Sequence, residues 1–155
     1  MREDDSRYPP LPAGDRIQTW EHGSITCAIM AGLMSLNGYI RFPEDHPWLS
    51  LDDLDDIEAP GGITYSCDHW IGFDTAHGFD VWDIGELKSA GWNPPPGRFP
   101  EGYPQRMFAI NASSPGAIHW TLTRLQDEVN ALAERAAIGE INLSPDSAHW
   151  RASES

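Results

Sequence analysis

The sequence predicts a single small domain of the α+β class, in which a mostly antiparallel sheet is packed by a C-terminal amphipathic helix. A chain of 155 residues is long enough to bury a core without metal or disulfide cross-links. Short alternating segments predict strands, including a β-hairpin at about 61–73, and a helical period predicts the helix at about 121–138. We expect the domain to span residues 16–143, after a flexible lead-in at 1–15 and before a tail at 144–155.

The first third of the domain offers one ambiguous segment and one strand. The apolar residues of 24–36 fit either a buried helix or a strand followed by a turn, and the sequence leaves both open. Asn37-Gly38 is a strong tight-turn signal. Residues 39–42 alternate in polarity, so they predict a strand, which Pro43 would end.

The hairpin is predicted from two apolar segments that follow Gly61-Gly62. Residues 63–65 and 70–73 form its strands, and residues 66–69 form a four-residue connection between them. A polar turn at 74–80 comes directly after the second strand. Loops that follow strands are a common place for functional side chains, so this turn is the first candidate site.

The remaining elements are a loop, a short strand and the final helix. Prolines and glycines predict an irregular loop at 91–104, and the apolar residues 107–110 predict a last strand. The helix has Thr121 as its expected N-cap and Gly139 as its expected C-cap. Its apolar stripe consists of Leu122, Leu125, Val129, Leu132 and Ala136.

Charge excludes some functions and leaves others open. The chain has 10 basic and 24 acidic residues, a formal net charge of −14. Nonspecific binding to nucleic acid or to an anionic membrane needs clustered Lys and Arg, so we expect neither. A small anionic ligand needs only a local group of donors, so the net charge does not argue against one. The acidic start is unlike a signal peptide, so we expect a cytoplasmic protein in which Cys27 and Cys67 are reduced thiols.

Within residues 68–80 the chain concentrates the side chains that most often carry chemistry. They are Asp68, His69, Trp70, Asp74, His77 and Asp80. One interpretation is structural: Asp74 caps the turn through backbone N–H groups, and His77 is its hydrogen-bond partner. The others are a ligand pocket and a catalytic or metal site.

In the ligand interpretation, aromatic rings stack on a small nucleotide-like molecule and polar side chains bind its edges. No cofactor is then needed. The predicted ligand-binding residues are Tyr39, His46, Thr64, Tyr65, Trp70, Asp74, His77 and Asp80.

In the third interpretation, Asp74, His77 and Asp80 hold zinc or manganese, or His77 serves as a general base. The sequence has no His-Glu-x-x-His motif, no Gly-x-Ser-x-Gly elbow and no phosphate-binding Gly-x-x-x-x-Gly-Lys loop. The enzyme interpretation is therefore weaker than the binding one.

Three motifs in this order resemble a family of small uncharacterised proteins of tailed bacteriophages and prophages. They are Asn37-Gly38-Tyr39-Ile40 with Pro43-Glu44-Asp45-His46-Pro47, Gly61-Gly62-Ile63-Thr64-Tyr65, and Trp70-Ile71-Gly72-Phe73-Asp74-Thr75-Ala76-His77-Gly78-Phe79-Asp80. The chain departs from the pattern at Pro60, where a histidine is frequent, and at Thr75, where a cysteine is frequent. The resemblance implies a phage origin and expression inside a bacterial host cell, and it brings no established activity.

Together these observations favour an accessory protein that binds a small nucleotide-like ligand, most concretely a counter-defence protein that sequesters a bacterial nucleotide immune signal. We allow for a homodimer. The first alternative is a metal-assisted hydrolase that uses Asp74, His77 and Asp80. The second is an acidic mimic of DNA that inhibits a host protein, whose field would come from residues 1–80, especially the run Asp52 to Glu58.

Overall fold

A computed structural model describes residues 7–12, 15–43, 46 and 57–137 of the chain. The main sheet has five antiparallel strands in the order β1-β2-β3-β5-β4. These strands are β1 (Arg16–His22), β2 (Ile25–Ala31), β3 (Leu36–Arg41), β4 (Tyr65–Cys67) and β5 (Trp70–Phe73). A separate parallel pair joins β6 (Asp80–Trp82) to β7 (Ile118–Trp120), and the helices are α1 (Ile84–Ala90), α2 (Tyr103–Ala112) and α3 (Leu122–Ala137). The predicted α+β class is confirmed.

The ambiguous segment 24–36 forms the strand β2, which lies between β1 and β3. Because both faces of the sheet are covered here, β2 reads as a nearly continuous apolar run rather than an alternating one. Such a run cannot be distinguished from a buried helix by period alone.

The predicted tight turn at Asn37-Gly38 is wrong, because both residues lie within β3. The chain reverses earlier, where Gly32 N–H donates to the carbonyl oxygen of Ser35 (2.7 Å). Glycine at position 38 serves a close approach: a Cβ there would collide with Val129 of α3 and lie 2.9 Å from the Phe73 ring. Gly38 thus allows the helix to rest directly on the sheet.

The predicted hairpin is confirmed, but its connection has two residues instead of four. Cys67 pairs with Trp70, so only Asp68 and His69 form the turn. Asp68 has a left-handed φ of 54°, which two-residue hairpin turns require and which aspartate tolerates. Thr64 lies before the strand, and its N–H still donates to the carbonyl oxygen of Gly72 (2.9 Å).

The predicted strand at 107–110 is wrong, since these residues lie inside the helix α2. The run is too short for its period to decide between strand and helix. Pro104 lies in the first turn of α2, where proline is common. The sequence prediction assigned it to the loop at 91–104 instead of to the start of a helix. The sequence also gave no prediction for β1, α1 or the pairing of β6 with β7.

The predicted C-terminal helix is confirmed as α3. Thr121 caps it, because its Oγ1 accepts a hydrogen bond from the N–H of Arg124 (3.0 Å). The stripe residues Leu125, Val129, Leu132 and Ala136 are buried against β2 and β3. Gly139, the expected C-cap, lies outside the described residues, as do the tail at 144–155 and the acidic run Asp52 to Asp56.

A second, smaller core covers the other face of the sheet. Its buried members are Ala28, Met30, Tyr39 and Trp70. Tyr8 and Leu11 of the predicted lead-in pack against them, together with Tyr65. The described part of the lead-in therefore completes the domain, and its side chains form one wall of a cavity.

Replacing Gly38 by alanine tests the close approach of α3 to the sheet. We expect Gly38→Ala to lower the free energy of unfolding by about 1–3 kcal/mol, as overpacked cores do. Gly78→Ala is the matched control, because a Cβ at Gly78 meets no atom within 4 Å, and it should change stability by less than about 0.5 kcal/mol. Urea unfolding measures both, and equal effects would contradict this role of Gly38.

Candidate functional site

A buried carboxylate organises the turn at 74–80. Asp80 is 1% exposed. Its Oδ2 accepts hydrogen bonds from the backbone N–H of His77 (2.9 Å) and contacts Nδ1 of the same residue (2.8 Å). Its Oδ1 accepts a hydrogen bond from Nε1 of Trp120 on β7 (2.9 Å). Both oxygens are thus occupied by the turn and by the neighbouring strand.

The imidazole of His77 is fixed by packing as well as by Asp80. It stacks on Phe79 with ring centroids 5.3 Å apart, and Gly61 lies so close that a Cβ there would collide with the ring. Its Nε2 lies 3.3 Å from Oδ1 of Asp74. Both ring nitrogens therefore face carboxylates rather than open space.

Thr75 anchors the other half of the turn. It is fully buried, donates from Oγ1 to the carbonyl oxygen of Leu36 (2.7 Å) and accepts from Nε1 of Trp82 (2.8 Å). Asn37, expected in a turn of its own, accepts the N–H of Thr75 instead (3.2 Å). Asn111 of α2 donates to the carbonyl oxygens of Asp80 (3.0 Å) and of His77 (3.3 Å).

These contacts support the structural interpretation of the turn, with one correction. The residue that caps the backbone is Asp80, not Asp74 as expected. Among the described residues, no group of three or more His, Cys, Asp or Glu side chains is arranged to hold a metal ion. The alternative use of Asp74, His77 and Asp80 as metal ligands thus has no support from their geometry.

The predicted ligand-binding residues are spread over the molecule. Tyr39 is buried over Gly72, where burial raises the pKa of its hydroxyl to about 12. Tyr65 meets the Tyr39 ring edge-on at 5.3 Å, and desolvation together with the neighbouring Cys67 raises its pKa to about 12. Both hydroxyls stay protonated near neutral pH. Thr64 is exposed.

His46 lies elsewhere in the fold. Its ring stacks on Phe42 with centroids 4.8 Å apart, and its Nε2 is 2.5 Å from the carbonyl oxygen of Ala136 in the last turn of α3. This places His46 at the end of the helix. Of the eight predicted residues, Trp70 is the one that lines the large cavity on the second face of the sheet.

This cavity has a volume of about 580 Å³, which falls in the range of small-molecule sites. The lead-in residues 8–11 form one wall. Arg16, Arg41 and the hairpin residues 68–70 form the other. The start of β5, rather than its end, therefore carries the better candidate site.

Two hydrogen-bond donors on this wall have no partner within the described residues. Arg41 and Trp70 are cross-strand neighbours, and neither side chain makes a hydrogen bond or an ion pair there. The Trp70 residue is 4% exposed, and its Nε1 is not among the fully buried side-chain atoms that lack a partner, so this N–H reaches the cavity. The other four described tryptophans donate their indole N–H groups within the fold: Trp20 to Asn130, Trp82 to Thr75, Trp92 to Gly32 and Trp120 to Asp80.

The opposite end of the cavity is aromatic. The guanidinium of Arg16 lies over the Tyr8 ring, 4.7 Å from its centroid. Thr19 contacts this segment, because its Oγ1 lies within hydrogen-bond distance of the carbonyl oxygens of Arg7 (2.9 Å) and Cys27 (2.8 Å). Stacked guanidinium and phenol groups form a flat wall of the kind that accepts planar rings.

Sequence reasoning missed both arginines of the cavity. Arg41 and Tyr39 are two residues apart in β3, so their side chains lie on the same face of the strand. This alternation is the sequence signal that could have identified Arg41. The alternation alone does not locate a site, because only the pairing of β3 with β5 places Arg41 beside Trp70.

Comparison of the chain with protein-family models, with curated proteins and with solved structures finds no match. Within the described residues, the helices are all too short or too polar to cross a membrane.

The role of Asp80 can be separated from that of Asp74 by matched substitutions. Asp80→Asn removes an acceptor that Trp120 or His77 requires, so we expect a loss of about 2–4 kcal/mol of unfolding free energy. Asp74 is half-exposed, so Asp74→Asn should cost less than about 1 kcal/mol. Urea unfolding of both variants measures the difference, and a larger loss for Asp74→Asn would refute the assignment.

The two thiols should differ in reactivity. Burial raises the pKa of Cys27 to about 12, so its thiol stays protonated and shielded at pH 8. Cys67 is partly exposed. We expect a thiol-specific reagent to label one cysteine rapidly in the native protein and two in denaturant. Cys67→Ser should abolish the fast phase, and fast labelling of that variant would show that Cys27 is accessible.

Proposed function

We propose that this protein binds a small nucleotide-like ligand in the cavity beside Arg41 and Trp70 and holds it without chemical change. The observation that carries the proposal is the pair of neighbouring donors that no described side chain or backbone group satisfies. An anionic oxygen between them would accept from both donors, with the charge-assisted bond that Arg forms to phosphate.

Local charge supports an anionic ligand. The chain as a whole has a net charge of −14, yet the described residues that line this cavity include the guanidinium groups of Arg16 and Arg41 and one carboxylate, that of Asp68. A cavity lined by guanidinium groups suits a small anion, whereas the negative net charge of the chain disfavours a large polyanion such as DNA.

The chemistry of the lining supports binding rather than turnover. His69 lines the cavity, and its side chain makes no hydrogen bond to a carboxylate in the described part of the chain. A general base normally needs such an orienting partner. Binding alone needs only donors and rings that are already in place.

The biological role that we propose is counter-defence: the protein is made in a bacterial host cell and sequesters a nucleotide immune signal. This part rests on the resemblance to phage proteins in the three motifs described above. The acidic-mimic alternative rests on Asp52 to Glu58, a run that lies largely outside the described residues.

Native mass spectrometry of the protein as purified from cells tests the proposal. We expect a bound mass of nucleotide size, retained in the presence of chelator and recovered intact after denaturation. Arg41→Gln should lower occupancy, since loss of one charged hydrogen bond costs about 1.5–3 kcal/mol, or roughly 10–150-fold in affinity. Arg98→Gln is the control, because Arg98 is exposed and lies outside this cavity.

Two results would contradict the proposed function. A protein that carries no ligand and shows no thermal shift with a panel of mononucleotides and dinucleotides would exclude nucleotide binding. Recovery of hydrolysed nucleotide only would replace sequestration by an enzymatic activity.

A further inference from the structure

We propose that the cavity is bipartite and takes a nucleoside phosphate in one direction, with the phosphate at Arg41 and Trp70 and the base at Tyr8 and Arg16. This inference rests on the proposed function and adds to it the ligand's orientation and the two groups that the ligand must contain. We call the part of the cavity near Arg41 and Trp70 the hairpin end and the part near Tyr8 and Arg16 the lead-in end. The inference follows from the different chemistry of these two ends and from the distance between them.

The hairpin end offers donors for an anion. Arg41 on β3 and Trp70 on β5 are in direct register, so their side chains emerge side by side on one face of the sheet. A guanidinium presents several N–H groups in one plane, and an indole presents one N–H and no acceptor. Together they suit the oxygens of a phosphate ester.

The strand register separates the two arginines. Arg16 pairs with Met30, and Met30 pairs with Asn37, so Arg16 is level with Asn37. Arg41 lies four residues further along β3, about 13 Å at the usual rise per residue. Two strand spacings add about 10 Å across the sheet, so the two Cα atoms are roughly 16 Å apart. The arginines therefore enter the cavity from opposite corners and serve different parts of a ligand.

The lead-in end offers a surface for a planar ring. Tyr8 already carries the Arg16 guanidinium at 4.7 Å, and Pro9, Pro10 and Leu11 continue the same wall. Nucleobases stack on aromatic and guanidinium planes with little dependence on base identity. Asp68 lines the cavity as well and supplies an acceptor for the hydroxyl groups of a sugar.

The orientation is tested by isothermal titration calorimetry on the full chain with matched partial ligands. The probes are the four ribonucleoside 5′-monophosphates, the nucleoside that matches the tightest of them, ribose 5-phosphate and inorganic phosphate. The variants are Arg41→Gln and Tyr8→Leu, with Tyr8→Phe to keep the ring and Arg98→Gln as a control for charge.

Arg41→Gln should weaken the monophosphate and ribose 5-phosphate at least about tenfold and leave the nucleoside within about twofold. Tyr8→Leu should weaken the monophosphate and the nucleoside by about 5-fold or more, as loss of stacking does, and leave ribose 5-phosphate unchanged. Tyr8→Phe, which keeps the ring, should restore most of the nucleoside affinity that Tyr8→Leu loses, and Arg98→Gln should bind all probes as the unchanged protein does.

The opposite pattern, with Arg41→Gln weakening the nucleoside and Tyr8→Leu weakening ribose 5-phosphate, would reverse the orientation. Equal weakening of all probes by both variants would overturn a bipartite site while nucleotide binding stands. Absence of binding by every monophosphate, in a protein that retains a nucleotide from cells, would overturn this inference and leave the proposed function. Inorganic phosphate binding as tightly as the monophosphate would show an anion site without a base subsite.

Discussion

The antiparallel pairing of β3 with β5 is the contact on which most of the structure depends, because it determines what lies on each face of the sheet. On one face it brings Gly38 against Phe73 and lets α3 approach closely. On the other it places the Tyr39 ring over Gly72 and sets Arg41 beside Trp70. A shift of one residue would exchange the two faces, so the same register specifies the main core and the candidate site.

The cluster of histidine and aspartate after β5 shows how polar residues can serve the fold while resembling a catalytic site. The carboxylate of Asp80 is buried and satisfied by three donors, two from His77 and one from Trp120. Removing one partner of such a group leaves the others unsatisfied in a medium of low dielectric constant, so these contacts hold the turn firmly. At the start of β5, by contrast, the side-chain donors of Arg41 and Trp70 line a cavity and have no acceptor among the described residues.

The sequence predicts the class of the fold and the final helix because both depend on local periodicity. The stripe through Leu125, Val129 and Leu132 needs no knowledge of its partners. The turn prediction at Asn37-Gly38 was wrong because it used only the local sequence. Gly38 is instead required by packing, since a Cβ there would collide with Val129 of α3. The cavity could not be predicted for the same reason: Arg16, Arg41 and the segment 8–11 meet only through strand pairing and packing.

The indole N–H of Trp70 has no acceptor among the described residues, and ¹⁵N NMR of the indole N–H groups tests most directly whether it belongs to a ligand site. Trp70→Phe would assign its resonance. Titration with the nucleotide recovered from the purified protein should move this resonance to saturation, while those of Trp82 and Trp120, which donate to Thr75 and Asp80, stay in place. Movement of the Trp82 and Trp120 resonances with that of Trp70 unchanged would locate the ligand at the 74–80 turn and contradict the proposed site beside Arg41 and Trp70.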